Sequence, residues 1–138
     1  QAQILELVEH LRDKLNMAVI WITHDLGVVA ELAERVIVMY AGFVVEEALV
    51  DDLFEEPGHP YTQALLAALP RLERRRDQRL RTIPGAPPNL LVSPMGCPFV
   101  PRCEYAFERC SIEMPPLVQV GRDHYSACWM DLSRGKPR

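Results

Sequence analysis

The chain has 138 residues, of which 49% are hydrophobic and 25% charged, a composition that excludes wholesale disorder. Fifteen basic against nineteen acidic side chains leave a formal net charge of -4, which excludes a nucleic-acid binder working by bulk positive charge. No run approaches the roughly 18 apolar residues of a membrane span, and Gln1-Ala2-Gln3 lacks a signal-peptide pattern, so the expectation is a piece from inside a longer polypeptide.

Ile4, Leu5, Leu7, Val8, Leu11 and Leu15 recur at helical spacing, which predicts an amphipathic helix over 2–15 that stops at Asn16. Residues 17–23 (MAVIWIT) are continuously apolar and rich in β-favouring side chains. Such a run predicts a strand covered on both faces, as in a parallel sheet. Asp25 can cap a following helix over 26–34, with Val28, Val29 and Leu32 inward. Residues 36–40 and 43–47 predict two further strands joined by a tight turn at Ala41-Gly42. A buried parallel strand needs parallel neighbours, and none is offered here, so the missing strands are expected to precede Gln1.

His24 stands where the expected buried strand ends and the capped helix begins. Ligands of open α/β sheets bind beyond the carboxyl ends of strands, and an imidazole there can hydrogen-bond a phosphate or a water. The plainer reading is a histidine that merely bonds a nearby carbonyl.

Beyond residue 50 the character changes. Nine of the twelve prolines and all four cysteines follow residue 80. Pro60 can open a helix in which Tyr61, Leu65, Leu66 and Leu69 form the apolar face, with His59 a turn residue packing near its start. Residues 71–81 (RLERRRDQRLR) contain six arginines in eleven positions and read as a solvated, partly helical linker. Residues 83–91 (IPGAPPNLL) read as an extended, proline-stiffened segment lying across a surface that covers Leu90, Leu91 and Val92.

Cys97, Cys103, Cys110 and Cys128 are spaced C-x5-C-x6-C-x17-C. Two disulfides, a four-thiolate zinc site and a four-thiolate [4Fe–4S] cluster are each compatible with four cysteines in a loop-rich segment. The intervals lack the short chelating pairs usual for structural zinc, and spacing alone does not choose among the three.

The string Ile22-Thr23-His24-Asp25-Leu26-Gly27, followed by Val36-Ile37-Val38-Met39-Tyr40-Ala41-Gly42, resembles the switch-histidine region of ABC-transporter ATPases. His59-Pro60-Tyr61-Thr62-Gln63-Ala64-Leu65-Leu66, Ile83-Pro84-Gly85 with Pro87-Pro88, and the Cys97-Pro98-Phe99 element resemble the C-terminal extension of oligopeptide/dipeptide importer ATPases. The resemblance implies an α/β fold class: residues 1–49 as the C-terminal portion of a P-loop ABC ATPase domain and residues 50–138 as a loop-rich, cysteine-containing extension. It implies that His24 contacts the γ-phosphate of ATP held with Mg2+ and helps hold the attacking water. It also implies that Cys97, Cys103, Cys110 and Cys128 ligate a [4Fe–4S] cluster, with zinc as the alternative metal. His124 matches a family position and is expected as a donor behind the ligands or a surface residue. Arg102 is expected to offset cluster charge or to pair with a carboxylate.

Implied partners are a second ATP-binding subunit, like or unlike, two membrane permeases and, through them, an extracytoplasmic peptide-binding protein. The implied location is the cytoplasmic face of the membrane. The sequence contains no G-x-x-x-x-G-K-[ST] loop, signature motif or Walker B strand, so the piece alone is expected neither to bind nor to hydrolyse ATP appreciably. Two rival classes stand beside this reading: a free-standing iron–sulfur or zinc-binding interaction module without ATPase activity, and a regulatory fragment that pairs with a full-length ATPase.

Overall fold

The computed structural model of the chain describes residues 2–69, 82–89, 91 and 93–138. The arginine-rich run 71–81, Leu90 and Val92 lie outside the described residues, and with them the linker expectation. The chain divides into two compact units, Gln1–Glu34 and Arg35–Arg138, so the expected boundary at residue 49 falls inside the second unit.

In the first unit, helix α1 spans Ala2–Leu15 and ends at Asn16, whose positive φ of 51° breaks the helical path. Asp25 caps helix α2, Leu26–Leu32, by accepting from the Gly27 and Val28 N–H groups. The helix stops two residues short of expectation because Ala33 is already extended. The expected strand at 17–23 is the first correction. The segment belongs to no sheet, and Ile20 and Ile22 are 90% and 96% exposed. β-favouring side chains bias the backbone toward extension, but a strand also needs a ladder partner. None pairs with this segment among the described residues. The chain mixes helices with antiparallel strands.

The second unit is built on a four-stranded antiparallel sheet of order β1-β2-β4-β3. Strands β1 (Arg35–Tyr40) and β2 (Phe43–Leu49) form a hairpin. Its turn is the expected Ala41-Gly42, with φ of 52° and 85°. Two positive φ values in a row are the type I′ pattern, whose twist matches that of the flanking strands. Strand β1 alternates strictly, with Val36, Val38 and Tyr40 buried between exposed neighbours.

Strand β2 breaks that alternation. Val38 pairs with Glu46 and Met39 with Val44, so Val45 is an extra residue on β2. This bulge turns the consecutive Val45 and Glu46 both inward, at 3% and 0% exposure.

Helix α3, Val50–Glu55, follows directly. It was not expected. Asp51 and Asp52 favour its first turn through the helix dipole, and Leu53 is fully buried. Helix α4, Pro60–Ala68, starts as predicted at Pro60. After a single 3-10 turn at Val100–Arg102 and the short helix α5, Glu108–Ile112, come strands β3 (Val118–Gly121) and β4 (His124–Ser126). Glu46 and Glu47 of β2 pair with Ser126 and Tyr125 of β4, which places the cysteine-bearing half against the hairpin. A two-stranded ribbon, β5 (Met130–Asp131) with β6 (Lys136–Pro137), closes the chain.

Ala41 holds a left-handed conformation that asparagine adopts more readily. Ala41→Asn is therefore expected to raise stability by about 0.5–1 kcal/mol, read as a higher urea midpoint at unchanged slope. A lower midpoint would show that the turn is not what sets hairpin stability.

Candidate functional site

Glu46 is the centre of the second unit's polar core. Its side chain is fully buried, so its lone pairs must be met inside the protein. The carboxylate accepts from the Gly58 N–H, from the His59 N–H at 3.1 Å and from His124 Nε2 at 2.7 Å. Ser126 Oγ donates to the Gly58 carbonyl at 2.8 Å. Two strands thus grip one loop: β2 supplies Glu46, β4 supplies His124 and Ser126, and the loop Gly58-His59 leads into α4.

His59 is 1% exposed, and its Nδ1 accepts from the Tyr61 N–H at 3.0 Å, capping α4. Burial pushes its pKa down to about 4, so the ring is neutral at neutral pH, as an accepting Nδ1 requires. The ring also belongs to an aromatic cluster around Phe99, which is 2% exposed. Tyr40, Tyr61 and His59 lie 5.2, 5.4 and 6.0 Å from Phe99 by ring centroids. Phe99 comes from the cysteine segment, Tyr40 from β1 and Tyr61 from α4, so three stretches distant in sequence share one apolar anchor.

All four cysteines line one cavity, together with His59, Phe99, Tyr105, Ala106, Pro115, Trp129 and Met130. All four are free. Gly96 makes the approach possible. A Cβ there would collide with the carbonyl of Cys110 and the backbone of Ser111, and the closeness lets the Cys97 N–H donate to the Cys110 carbonyl at 2.8 Å.

Three thiols receive a backbone N–H from two residues further on: Cys97 from Phe99, Cys103 from Tyr105 and Cys128 from Met130. Burial pushes Cys103 up to about 11 and Cys128 up to about 12, and Cys97 is raised for the same reason. The neighbouring sulfurs add to each rise, as expected when thiols crowd one low-dielectric space. Amides directed at sulfur and mutual crowding are features a cationic metal centre would turn to advantage, since it removes the cost of thiolate charge. In this sense the donor set fits. Among the described residues, however, no three His, Cys, Asp or Glu side chains are placed to hold a single ion.

The other expected site residues fall as follows. His24 is exposed on a bend in the first unit, between Thr23, whose Oγ1 accepts from the Asp25 N–H, and the Asp25 cap. His124 is neither behind a ligand nor on the surface. It is 6% exposed and bonded to Glu46. Among the described residues Arg102 pairs with no carboxylate. Its guanidinium donates to the carbonyls of Ile83 and Pro84, at 3.1 and 2.9 Å, and to the Tyr40 hydroxyl at 3.4 Å. This explains how the proline-stiffened segment is held, although Leu91, expected to be covered, is 93% exposed.

Glu46, Ser126 and Trp129 were not singled out from sequence. In the run Phe43-Val44-Val45-Glu46-Glu47 nothing marks the first glutamate as inward, because the bulge that turns it is set by pairing. The His59-Pro60-Tyr61 string was noticed, but not its partner.

Residues 45–110 match the family described as the oligopeptide/dipeptide transporter, C-terminal region. A Brucella melitensis protein named as a peptide import ATP-binding protein is 46% identical over 140 residues, covering 96% of this chain and 41% of that protein. The oligopeptide transport ATP-binding proteins OppD of Bacillus subtilis and Mycobacterium tuberculosis are 48% and 50% identical. Those matches cover 94% and 93% of this chain, but 36% and 21% of the relatives. The chain thus spans well under half the length of the curated relatives it matches.

Removing either partner of the Glu46–His124 pair strands the other in the core. Glu46→Ala and His124→Ala are each expected to lower stability by about 3 kcal/mol, and the double variant by much less than their sum, as measured by urea denaturation. Strict additivity would show that the pair is not coupled. The depressed His59 pKa means that the unfolded chain binds this proton first. Its contribution is complete above about pH 6.5 and is lost as pH falls toward about 4. His59→Asn, which keeps a capping acceptor, should therefore lose less stability than the parent between those pH values. Parallel pH profiles would assign the acid sensitivity elsewhere.

Proposed function

Because this chain belongs to the oligopeptide/dipeptide-transporter ATP-binding family, we propose that it is the switch-histidine segment and C-terminal extension of a subunit that couples ATP hydrolysis to peptide import. The observation that carries this reading is 46–50% identity to peptide-transport ATP-binding proteins over 93–96% of the chain. The subunit would pair with a second ATP-binding subunit and drive two membrane permeases fed by an extracytoplasmic peptide-binding protein. It would do so from the cytoplasmic face of the membrane. No helix among the described residues is long and apolar enough to cross a bilayer, which accords with a peripheral place.

In this scheme His24 works by position. The Thr23 hydroxyl and the Asp25 cap fix the turn on either side of it, leaving the imidazole exposed. A ring so held can donate to a γ-phosphate oxygen or align a water, and phosphoryl transfer depends mainly on such positioning. The residues that cradle the remaining phosphates and Mg2+ would come from the rest of the subunit, as would the catalytic carboxylate. The piece alone is proposed to be inactive.

For Cys97, Cys103, Cys110 and Cys128 we propose ligation of a [4Fe–4S] cluster. When bound, the cluster supplies a covalent staple between segments that have little regular structure. Four thiols lining one cavity support this reading. The chain's own share is to hold Cys97 and Cys110 together across the Gly96 approach and to direct amides at three sulfurs.

Two experiments test these assignments. Anaerobic reconstitution should give a brown protein with about four iron and four sulfide per chain, and Cys103→Ser or Cys128→Ser should lose most of both. A colourless protein carrying one zinc would overturn the cluster in favour of zinc. In the complete subunit, His24→Ala should lower ATP hydrolysis about a hundredfold while leaving ATP binding nearly intact. Unchanged hydrolysis would remove His24 from this role.

A further inference from the structure

Arg102, expected either to offset cluster charge or to pair with a carboxylate, is engaged by the carbonyls of Ile83 and Pro84. Another arginine lies beside a cysteine in sequence. Arg109, on α5 next to Cys110, lies flat over the Trp129 ring, with its guanidinium carbon 3.4 Å from the ring centroid. Trp129, next to Cys128, is one wall of the thiol cavity.

Two contacts hold the ring and a third holds its backbone. Arg109 stacks on its face. Trp129 Nε1 donates to the Glu113 carbonyl at 3.1 Å, and the Trp129 carbonyl accepts from the Arg138 N–H at 2.7 Å. Glu113 in turn fixes Arg109, accepting from its guanidinium at 2.7 and 3.3 Å. The arginine side chain is 43% exposed, so the stack forms the solvent side of this wall.

Such an arrangement does two things. A large flat indole pinned in place keeps water and polar reagents off the sulfurs behind it. A guanidinium that is always charged and weakly hydrated stacks well on such a ring and does not compete for the thiols as a ligand. An isolated surface Arg–Glu pair contributes little. Here the pair orients a cation on an aromatic wall.

We infer that Arg109 and Trp129 are positioning residues of the thiol site: the stacked pair shuts the cavity to polar reagents and thereby governs how readily the sulfurs, and any centre they hold, are attacked. The inference rests on the reading of the four cysteines as one site. Its test does not need a metal.

In the reduced, metal-free 138-residue chain, Ellman's reagent should label the cavity thiols about fivefold faster in Arg109→Ala and in Trp129→Ala than in the parent. Trp129→Phe, which keeps an aromatic face for the guanidinium, should stay close to the parent rate. Amide exchange in β1 and β2, far from α5 in sequence, reports global opening and should not change with it. With the reconstituted protein, iron loss to a chelator should quicken in the same order of variants. Labelling rates that are unmoved by both alanine variants would overturn the inference, as would faster labelling matched by equally faster exchange in β1 and β2. If no iron or sulfide binds but the labelling contrast holds, the cluster reading fails and the cover stands.

Discussion

A carboxylate with no access to water must find all its hydrogen bonds inside the protein, and Glu46 makes the second unit organise itself around that demand. Its bonds go to Gly58, His59 and His124, which belong to a loop ahead of α4 and to a strand some eighty positions later. Geometry of this kind tolerates no sliding. If β2 shifted by one residue against β4, Glu46 would lose His124 and the loop together. The bond network therefore fixes strand register and loop position at once, a specificity that apolar packing alone would leave looser.

The cysteine cavity is built outward from this centre. Glu46 seats His59, His59 packs toward Phe99, and Phe99 lies two residues beyond Cys97. The Cys97-Pro98-Phe99 string therefore has two physical roles that alternate along the chain. Cysteine faces the cavity, and the aromatic ring locks the segment into the core. Arg102 extends the same logic by tying the Ile83-Pro84 carbonyls to the Tyr40 side of the core. A segment poor in regular structure is kept in place by a few well-chosen anchors, and the four cysteines line one cavity as a consequence.

What local chemistry controls was legible. Pro60 at the head of α4, the Asp25 cap, the Asn16 stop and the Ala41-Gly42 turn each act within a few residues, and each appears where the string placed it. The four cysteines were recognised as one group from spacing and resemblance, and they do line one cavity. The segment 17–23 pairs with no strand among the described residues, since its pattern encodes extension and apolarity but does not supply the neighbours a strand requires, and Ile20 and Ile22 stand exposed. His124 was expected behind the ligands or on the surface, and Arg102 offsetting cluster charge or pairing with a carboxylate. Their actual partners, Glu46 and the Ile83-Pro84 carbonyls, are 78 and 18–19 positions away.

By itself, then, the amino-acid string determined the family, the Asn16 stop, the Asp25 cap, the Pro60 helix start and the hairpin turn, since all of these reside in short patterns. Only the tertiary structure decided that Glu46 points inward, that it binds His124, and that Trp129 lines the cavity with Arg109 stacked over its ring. The reason is physical. A β-bulge, a buried hydrogen bond and a cation over a ring are each created by two distant stretches meeting, and neither stretch carries the information alone.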